Sequence, residues 1–435
     1  MGTTRRQFIR RTASLGVMLG AGTPLLQACG GDDDDTAATS GSSGGSSSGE
    51  TADTGGGTEA STEASTEASP TTEPAAPTTV QSGREVTEAI ADGLEPEAGP
   101  LRVFNYADYV NPDTVASFEE QYGVKVEITT FDVDAEAITK LANGSVEVDL
   151  HHSAAPNSLD RLIQGGLLQP LNRTYIPNFA NVLPSFQDPW YDEGSTYTVP
   201  YTVFSSGIGY RTDRVDPAQV EEMGWDILWD PAYKGVTSIL DDYREGIALA
   251  LLRSGNTDVN TTDAEAIEQA GADLSELVDL MNIKVNIEGY KDLPEGATDL
   301  AHTWSGDLLA GAYSYLPEGT DPSVLGWWYP ADGVGVVNND TMAVTSNAKN
   351  PVLAHLYMNH LLDRANAEEN FSWNGYLPPI EGLDADYLIE NGYAPENLRA
   401  AVLTDEIIGK GLRFEQLDID TDQLWADTWS SFTAG

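Results

Sequence analysis

From Leu101 onward the chain alternates short runs of period-two hydrophobicity with stretches whose apolar residues recur three and four apart. "LRVFNYADYV" reads as a strand ending in a loop, "TVASFEEQYG" as a helix and "VKVEITTF" as a second strand. The helix "EAITKLANG", the strand "VEVDLHH" and the helix "NSLDRLIQGGL" follow. That order, β-α-β-α-β, predicts an α/β domain with a largely parallel sheet. Further on, "GVTSIL" reads as a strand and the apolar stretch after it as a helix. "TTDAEAIEQAGADLSELVDLM" predicts a helix opening with a capping box, Thr262 to Glu265, and presenting Leu274, Leu277, Val278 and Met281 on one face. "NPVLAHLYMNHLLD" predicts another, with Asn350 as its cap and Pro351 at the first position. This length of patterned chain is enough for two α/β lobes.

Before residue 100 the pattern is absent. From Gly30 to Gly99 the residues are mainly Gly, Ser, Thr, Asp, Glu and Pro, with the repeat "TEASTEASTEASP", and too few are apolar to offset the entropy of ordering. Residues 30–99 are therefore expected to be a flexible tether, with a root-mean-square span on the order of 45 Å. "GSSGG" and "GSSSG" within it match the G-x-S-x-G pattern of serine hydrolases, but neither follows a strand, so neither is a nucleophile elbow. Residues 1–29 read as a targeting segment. "TRRQFIRR" followed by a short apolar region resembles a twin-arginine export signal, and "LQAC", ending at Cys29, resembles a lipoprotein box. Cys29 is the only cysteine, which excludes an intrachain disulfide and makes it the expected lipid anchor. The protein is thus expected on the outer face of the cell membrane, held there by lipid alone.

Charge narrows the partners. Asp and Glu number 69 against 22 Lys and Arg, a formal net charge of −47, and this excess resembles the surfaces of haloarchaeal proteins. No basic stripe is available to displace counterions from phosphates, so nucleic acid is excluded as a partner. Against such a background most carboxylates are solvated surface. Five histidines, His151, His152, His302, His355 and His360, supply no H-E-x-x-H motif, and His355 and His360 are five apart rather than four. No metal site or cofactor is expected.

Several segments carry a resemblance: "LRVFNYADYVNPDTVASFEEQYGVKVEITTFD", "VPYTVFSSGIGYRTDRVDP", "ILWDPAYKGVTSILDDYREGIALALLRSGNT", "HTWSGD" and "TMAVTSNAKNP". In order and spacing, residues 100–435 resemble the bacterial spermidine/putrescine-binding (PotD-like) proteins, the extracytoplasmic receptors of ABC importers, here in a haloarchaeal lipoprotein form. The resemblance implies a type II periplasmic-binding-protein-like fold: two α/β lobes, crossover hinge strands and a ligand cleft between the lobes. It implies lobe 1 from 100–211 and 340–377, lobe 2 from 212–339 and 378–435, a monomeric receptor without enzymatic activity, and delivery of a polyamine to membrane permease subunits.

A polyamine is a string of ammonium groups separated by methylenes, so its site needs carboxylates at fixed separations and aromatic faces along the chain. At the positions that match the family, this sequence has Tyr106, Asp108, Tyr109, Asp242, Glu245, Trp304, Asp340, Tyr376 and Gln416. The resemblance implies that Asp242, Glu245 and Asp340 hold ammonium groups, that Asp108 hydrogen-bonds an amine, and that Tyr106, Tyr109, Trp304 and Tyr376 line the methylene channel. Each has a plainer reading: Asp242 and Glu245 as a helix cap and its third-position partner, Trp304 and the tyrosines as core, Asp340 as a turn residue. The position of "DDYRE" at the carboxyl end of "GVTSIL", where ligands bind in open α/β sheets, favours the binding reading. Tyr106 and Asn338 stand where the family has tryptophan, and "HHSAAPNS" lacks a family tyrosine. Asp307, just after the tryptophan motif, reads either as an added acid of the site or, more simply, as a solvated loop acid. Thiamine, ferric-ion or sugar binding, or a tethered hydrolase, are the alternatives.

Overall fold

The computed structural model describes residues 88–434. The export-like segment with Cys29, and the repeat-rich stretch up to residue 87, lie outside the described residues.

In chain order the strands are β1 (Leu101–Asn105), β2 (Val126–Thr130), β3 (Leu150–Ala154), β4 (Thr198–Arg211), β5 (Thr237–Ile239), β6 (Lys284–Val285), β7 (Leu300–Trp304), β8 (Leu325–Trp328) and β9 (Val337–Val344). The helices that bear on the site are α1 (Pro112–Tyr122), α2 (Asp134–Ala142), α3 (Pro156–Gln164), α4 (Tyr243–Arg253), α5 (Ala264–Met281), α6 (Ser305–Ser314), α7 (Pro351–Leu361), α8 (Arg364–Asn374) and α9 (Ile419–Thr433).

The sheet order is β2-β1-β3-β9-β4-β7-β5-β6, with β8 also paired to β4. The β1–β3 block and the β5–β7 block are each parallel, as the β-α-β pattern predicts. Between them, β4 and β9 run antiparallel to each other and to their outer neighbours. Strand β4 is buried along all 14 residues. Thr198–Ser205 pair with β9, while Ile208–Tyr210 lie between β7 and β8. One strand therefore belongs to both blocks and β9 returns the chain to the first, the crossover arrangement of a two-lobed α/β fold. Helices α4, α5 and α9 close the second block around Ile247, Leu274, Leu277 and Trp425. Val278, expected on that face, is exposed.

Local chemistry sets the helix starts. Asn111 caps α1 by accepting from the Asp113 amide at 2.9 Å, and Gly123 ends it with φ +69°. The cap of α5 is Asp263 rather than Thr262, because the Asp263 carboxylate accepts from the Glu265 amide at 3.0 Å. Pro351 opens α7, but the Asn350 side chain does not cap it. That amide is drawn instead to Asp149 Oδ2 at 2.9 Å and to the Pro100 carbonyl at 3.0 Å. Glu97 does the capping, accepting from the amides of Val352 at 3.0 Å and Leu353 at 2.9 Å.

The Glu97 contact corrects the tether's boundary. Asn172 also donates to the Ile90 carbonyl at 2.8 Å, and Tyr175 Oη both accepts from the Leu94 amide and donates to the Ala91 carbonyl. Backbone and carboxylate groups of residues 90–97 thus satisfy donors of the folded domain, which composition alone could not reveal. Among the described residues no helix is long and apolar enough to cross a membrane. Asn339 and Asn370, which lie in N-x-S/T sequences, are 3% and 2% exposed and have no room for a glycan.

Candidate ligand-binding site

The site is built on one face of β4. Antiparallel register sets Thr202 opposite Asp340, Phe204 opposite Asn338, and Ser206 opposite Trp304. Side chains two apart on a strand share a face, and directly opposed residues share it too. Six side chains from three strands therefore converge without any loop having to place them. Thr202 and Ser206 are four residue steps apart along the strand, a distance of about 13 Å.

Each end of that line holds a carboxylate. At Thr202, Tyr109 Oη donates to Asp340 Oδ2 at 2.7 Å and lies 2.8 Å from Thr202 Oγ1. At Ser206, Glu245 Oε1 accepts from Ser206 Oγ at 2.9 Å, from Trp304 Nε1 at 3.0 Å and from Asn338 Nδ2 at 3.5 Å. Asn338, standing where the family pattern has tryptophan, thus turns an amide toward the acid. Glu245 Oε2 is enclosed and has no hydrogen-bond partner. His302 Nε2 stands 4.0 Å from it, but burial holds that imidazole down to about 3, so it supplies no charge. Burial pushes Asp340 and Glu245 up, each to about 7; the Asp134 charge adds to the first shift and the Asp242 charge to the second.

Between the two carboxylates runs a row of rings in edge-to-face contact. Centroid separations are 5.9 Å for Tyr106 and Tyr109, 5.1 Å for Tyr109 and Tyr376, 5.3 Å for Tyr376 and Phe204, and 6.2 Å for Phe204 and Trp304. Tyr106, Tyr109, Trp304, Tyr376, Glu245 and Asp340 are therefore brought together. Asp242 joins them through the field it exerts on Tyr106 and Glu245. It is also the cap of α4, its Oδ1 accepting from the Arg244 amide at 2.8 Å and the Glu245 amide at 3.0 Å. Asp242 therefore does cap α4, through Oδ1 alone. Glu245 does not reach back to close a capping box; its Oε1 instead accepts from side chains of β4, β7 and β9.

Two candidates stand apart. Asp108 is exposed in a left-handed conformation, φ +54°, and its backbone carbonyl accepts from Trp373 Nε1 at 2.8 Å. No hydrogen bond links Gln416 to the other candidates; its Oε1 is enclosed without a partner. Arg244 fixes the neighbouring backbone, donating to the Glu415 carbonyl at 3.0 Å while its guanidinium lies 4.8 Å from the Phe414 ring.

Asp307 is not a solvated loop acid. It lies in the first turn of α6, 7% exposed, and accepts from Tyr376 Oη at 2.7 Å and Thr303 Oγ1 at 3.3 Å; burial pushes it up to about 7. Sequence reasoning also passed over Thr202, Phe204, Ser206 and Asp134. The usable signal for the hydroxyls was Thr202 and Ser206 at even spacing in a strand otherwise apolar enough to be buried throughout. Among the described residues no group of three or more His, Cys, Asp or Glu could hold a metal ion.

Comparison with known proteins bears on this arrangement. The profile of the bacterial extracellular solute-binding protein family matches residues 113–394. The chain is 28% identical over 281 residues to the spermidine/putrescine-binding periplasmic protein of Escherichia coli, covering 64% of this chain and 77% of that one. It is 30% identical over 286 residues to the putrescine-binding periplasmic protein of the same organism, covering 62% and 75%. Its fold is similar to the spermidine/putrescine ABC transporter substrate-binding protein of Streptococcus pneumoniae, with a TM-score of 0.62 at 24% identity over 77% of this chain and 98% of that one.

Proposed function

Because this chain belongs to the bacterial extracellular solute-binding protein family, whose members are receptors rather than enzymes, we propose that it binds a polyamine between its two blocks. The observation that carries the reading is the row of rings from Tyr106 to Trp304 with a buried carboxylate at each end, one of whose oxygens, Glu245 Oε2, is enclosed and bare. A buried carboxylate without a counter-charge is costly, and an ammonium group supplies both the charge and the missing donors. The methylenes between ammonium groups suit the aromatic faces, which offer apolar contact and cation–π attraction together. The strand spacing fits too: an extended triamine of nine heavy-atom bonds spans on the order of 11 Å, against about 13 Å between the two anchoring hydroxyl positions.

Asp340, Glu245 and Asp242 hold the ammonium groups, and Tyr106, Tyr109, Trp304 and Tyr376 cover the chain. Asp108 and Gln416 complete the site as the blocks close on ligand. The protein then delivers its cargo to the permease of an ABC importer, as a monomer anchored outside the cell membrane through lipid on Cys29. Calorimetry of the full-length protein against putrescine, spermidine, thiamine, ferric ion and glucose tests the ligand class. Saturable binding of the amines alone supports the reading; binding of any other ligand in their place overturns it. Cys29→Ala tests the anchor: the variant should leave the membrane fraction with unchanged ligand affinity, and retention after a salt wash refutes it.

A further inference from the structure

Asp134 opens α2, yet it has no part in capping that helix: the cap position is Val133, which makes no side-chain hydrogen bond, and the Asp132 amide is met by Glu136. The residue is only partly buried; burial pushes its carboxyl up and Ser158 holds it down by a side-chain hydrogen bond, yet its Oδ1 is fully enclosed and has no hydrogen-bond partner. Phe131, three residues before Asp134, packs on Tyr106 with ring centroids 4.4 Å apart, and the Asp134 charge is felt by Tyr106 and Asp340, while the Asp242 charge is felt by both Asp134 and Glu245. Asp134 thus shares its field with Asp340 on one side and with Asp242, which acts on Glu245, on the other. Arg161 on α3 is close enough to act on Asp134 but is committed to Asp422 on α9 at 2.7 Å. Among the described residues no other cation acts on it.

A diamine that pairs with Glu245 and Asp340 leaves Asp134 without a counter-charge. A ligand with a further ammonium between its ends does not. Resting on the polyamine reading of the same site, we infer that Asp134 is a further ligand-binding carboxylate that sets a preference for polyamines with three or more ammonium groups over diamines. The bare Glu245 Oε2, on a residue 3% exposed, independently marks the site as one that awaits a cationic donor.

The test is calorimetry of full-length wild type and Asp134→Asn with spermidine and with putrescine. Wild type should prefer spermidine, and Asp134→Asn should weaken spermidine at least ~10-fold while changing putrescine less than ~3-fold. The nearly isosteric change should leave the unliganded melting temperature close to that of wild type. Should it not, Asp134→Ser supplies the same comparison, and the wild-type preference stands as a separate check. Equal losses for the two amines, no loss for either, or a wild type that prefers putrescine overturns the role of Asp134 while leaving the polyamine site intact. A wild type that binds neither amine overturns both.

Discussion

If Glu245 and Asp340 hold the ammonium groups as proposed, they must be ionised to do so, and binding depends on pH. Glu245 and Asp340 are each pushed up to about 7, chiefly by burial. The amines, with pKa values near ~10, stay charged across the range concerned. Ligand favours the ionised carboxylates, so their pKa values fall in the complex and binding releases protons. A group with a pKa of about 7 is ~9% ionised at pH 6 and ~91% at pH 8, a tenfold change in apparent affinity. Both groups together give ~100-fold, or about 2.7 kcal/mol, with affinity present above pH 7 and lost as pH falls through it. Asp134, pushed up by burial to about 6, adds only ~2-fold over this window. Titration calorimetry with spermidine at pH 6, 7 and 8, in buffers of different ionisation enthalpy, reads affinity and proton release together. At pH 7 about one proton should be released per ligand, and Glu245→Gln should halve both the release and the slope. Affinity constant within ~3-fold from pH 6 to 8, with no proton exchange, refutes the reasoning.

Asp340→Asn and Asp242→Asn should each weaken spermidine binding at least ~10-fold, whereas Glu268→Gln, exposed on α5, should change nothing; equal affinities for the three variants would make the acids ordinary surface. Trp304→Phe keeps most of the ring but removes the donor 3.0 Å from Glu245 Oε1, a hydrogen bond to a charged group worth about 1.5–3 kcal/mol. The pH midpoint of binding should then move above that of wild type, and an unmoved midpoint separates Trp304 from Glu245. Because Glu245, Asp307 and Asp340 have raised pKa values in the folded protein, their contribution to stability is complete below the unfolded carboxylate range and lost as pH rises through about 7. The unliganded melting temperature should fall from pH 5 to 8, less steeply in Glu245→Gln/Asp340→Asn; identical slopes count against the assignment. Arg161→Ala removes a partly exposed pair between α3 and α9, worth less than about 1 kcal/mol. It should lower the unliganded melting temperature only slightly while moving spermidine affinity less than ~5-fold, and a larger loss of either makes the pair more than a surface contact.

Local signals in the chain were sufficient for much of this architecture. The β-α-β order from Leu101 to Gln164 follows from hydrophobic periodicity, because each strand and helix there buries one regular face. Asn111 with Pro112 marks a helix start on its own, as Asp242 does before α4. Where donors compete, adjacency fails as a guide. Thr262 and Asn350 look like caps, yet Asp263 and the distant Glu97 do the capping, since a carboxylate accepts from backbone amides more strongly than a hydroxyl or an amide does. Low-complexity composition placed the tether's end too late for the same reason: residues 90–97 are ordered by partners on Asn172, Tyr175 and α7 that lie about 80 positions or more away.

For the site, the sequence by itself determined which residue types were available: acids after "GVTSIL", a tryptophan before "SGD", an acid ahead of "TSNAKNP". It could not distinguish Asp307, buried against Tyr376, from a solvated acid, because a carboxylate's charge state depends on what surrounds it in space. Only the tertiary structure decided that Thr202 meets Tyr109 and Ser206 meets Glu245, that the Asp134 charge reaches Asp340, and that five rings form one row. The reason is β4: one strand paired with β9 along its first half and with β7 and β8 along its second carries the site across both blocks, and strand register is a property of pairing partners, not of any single segment.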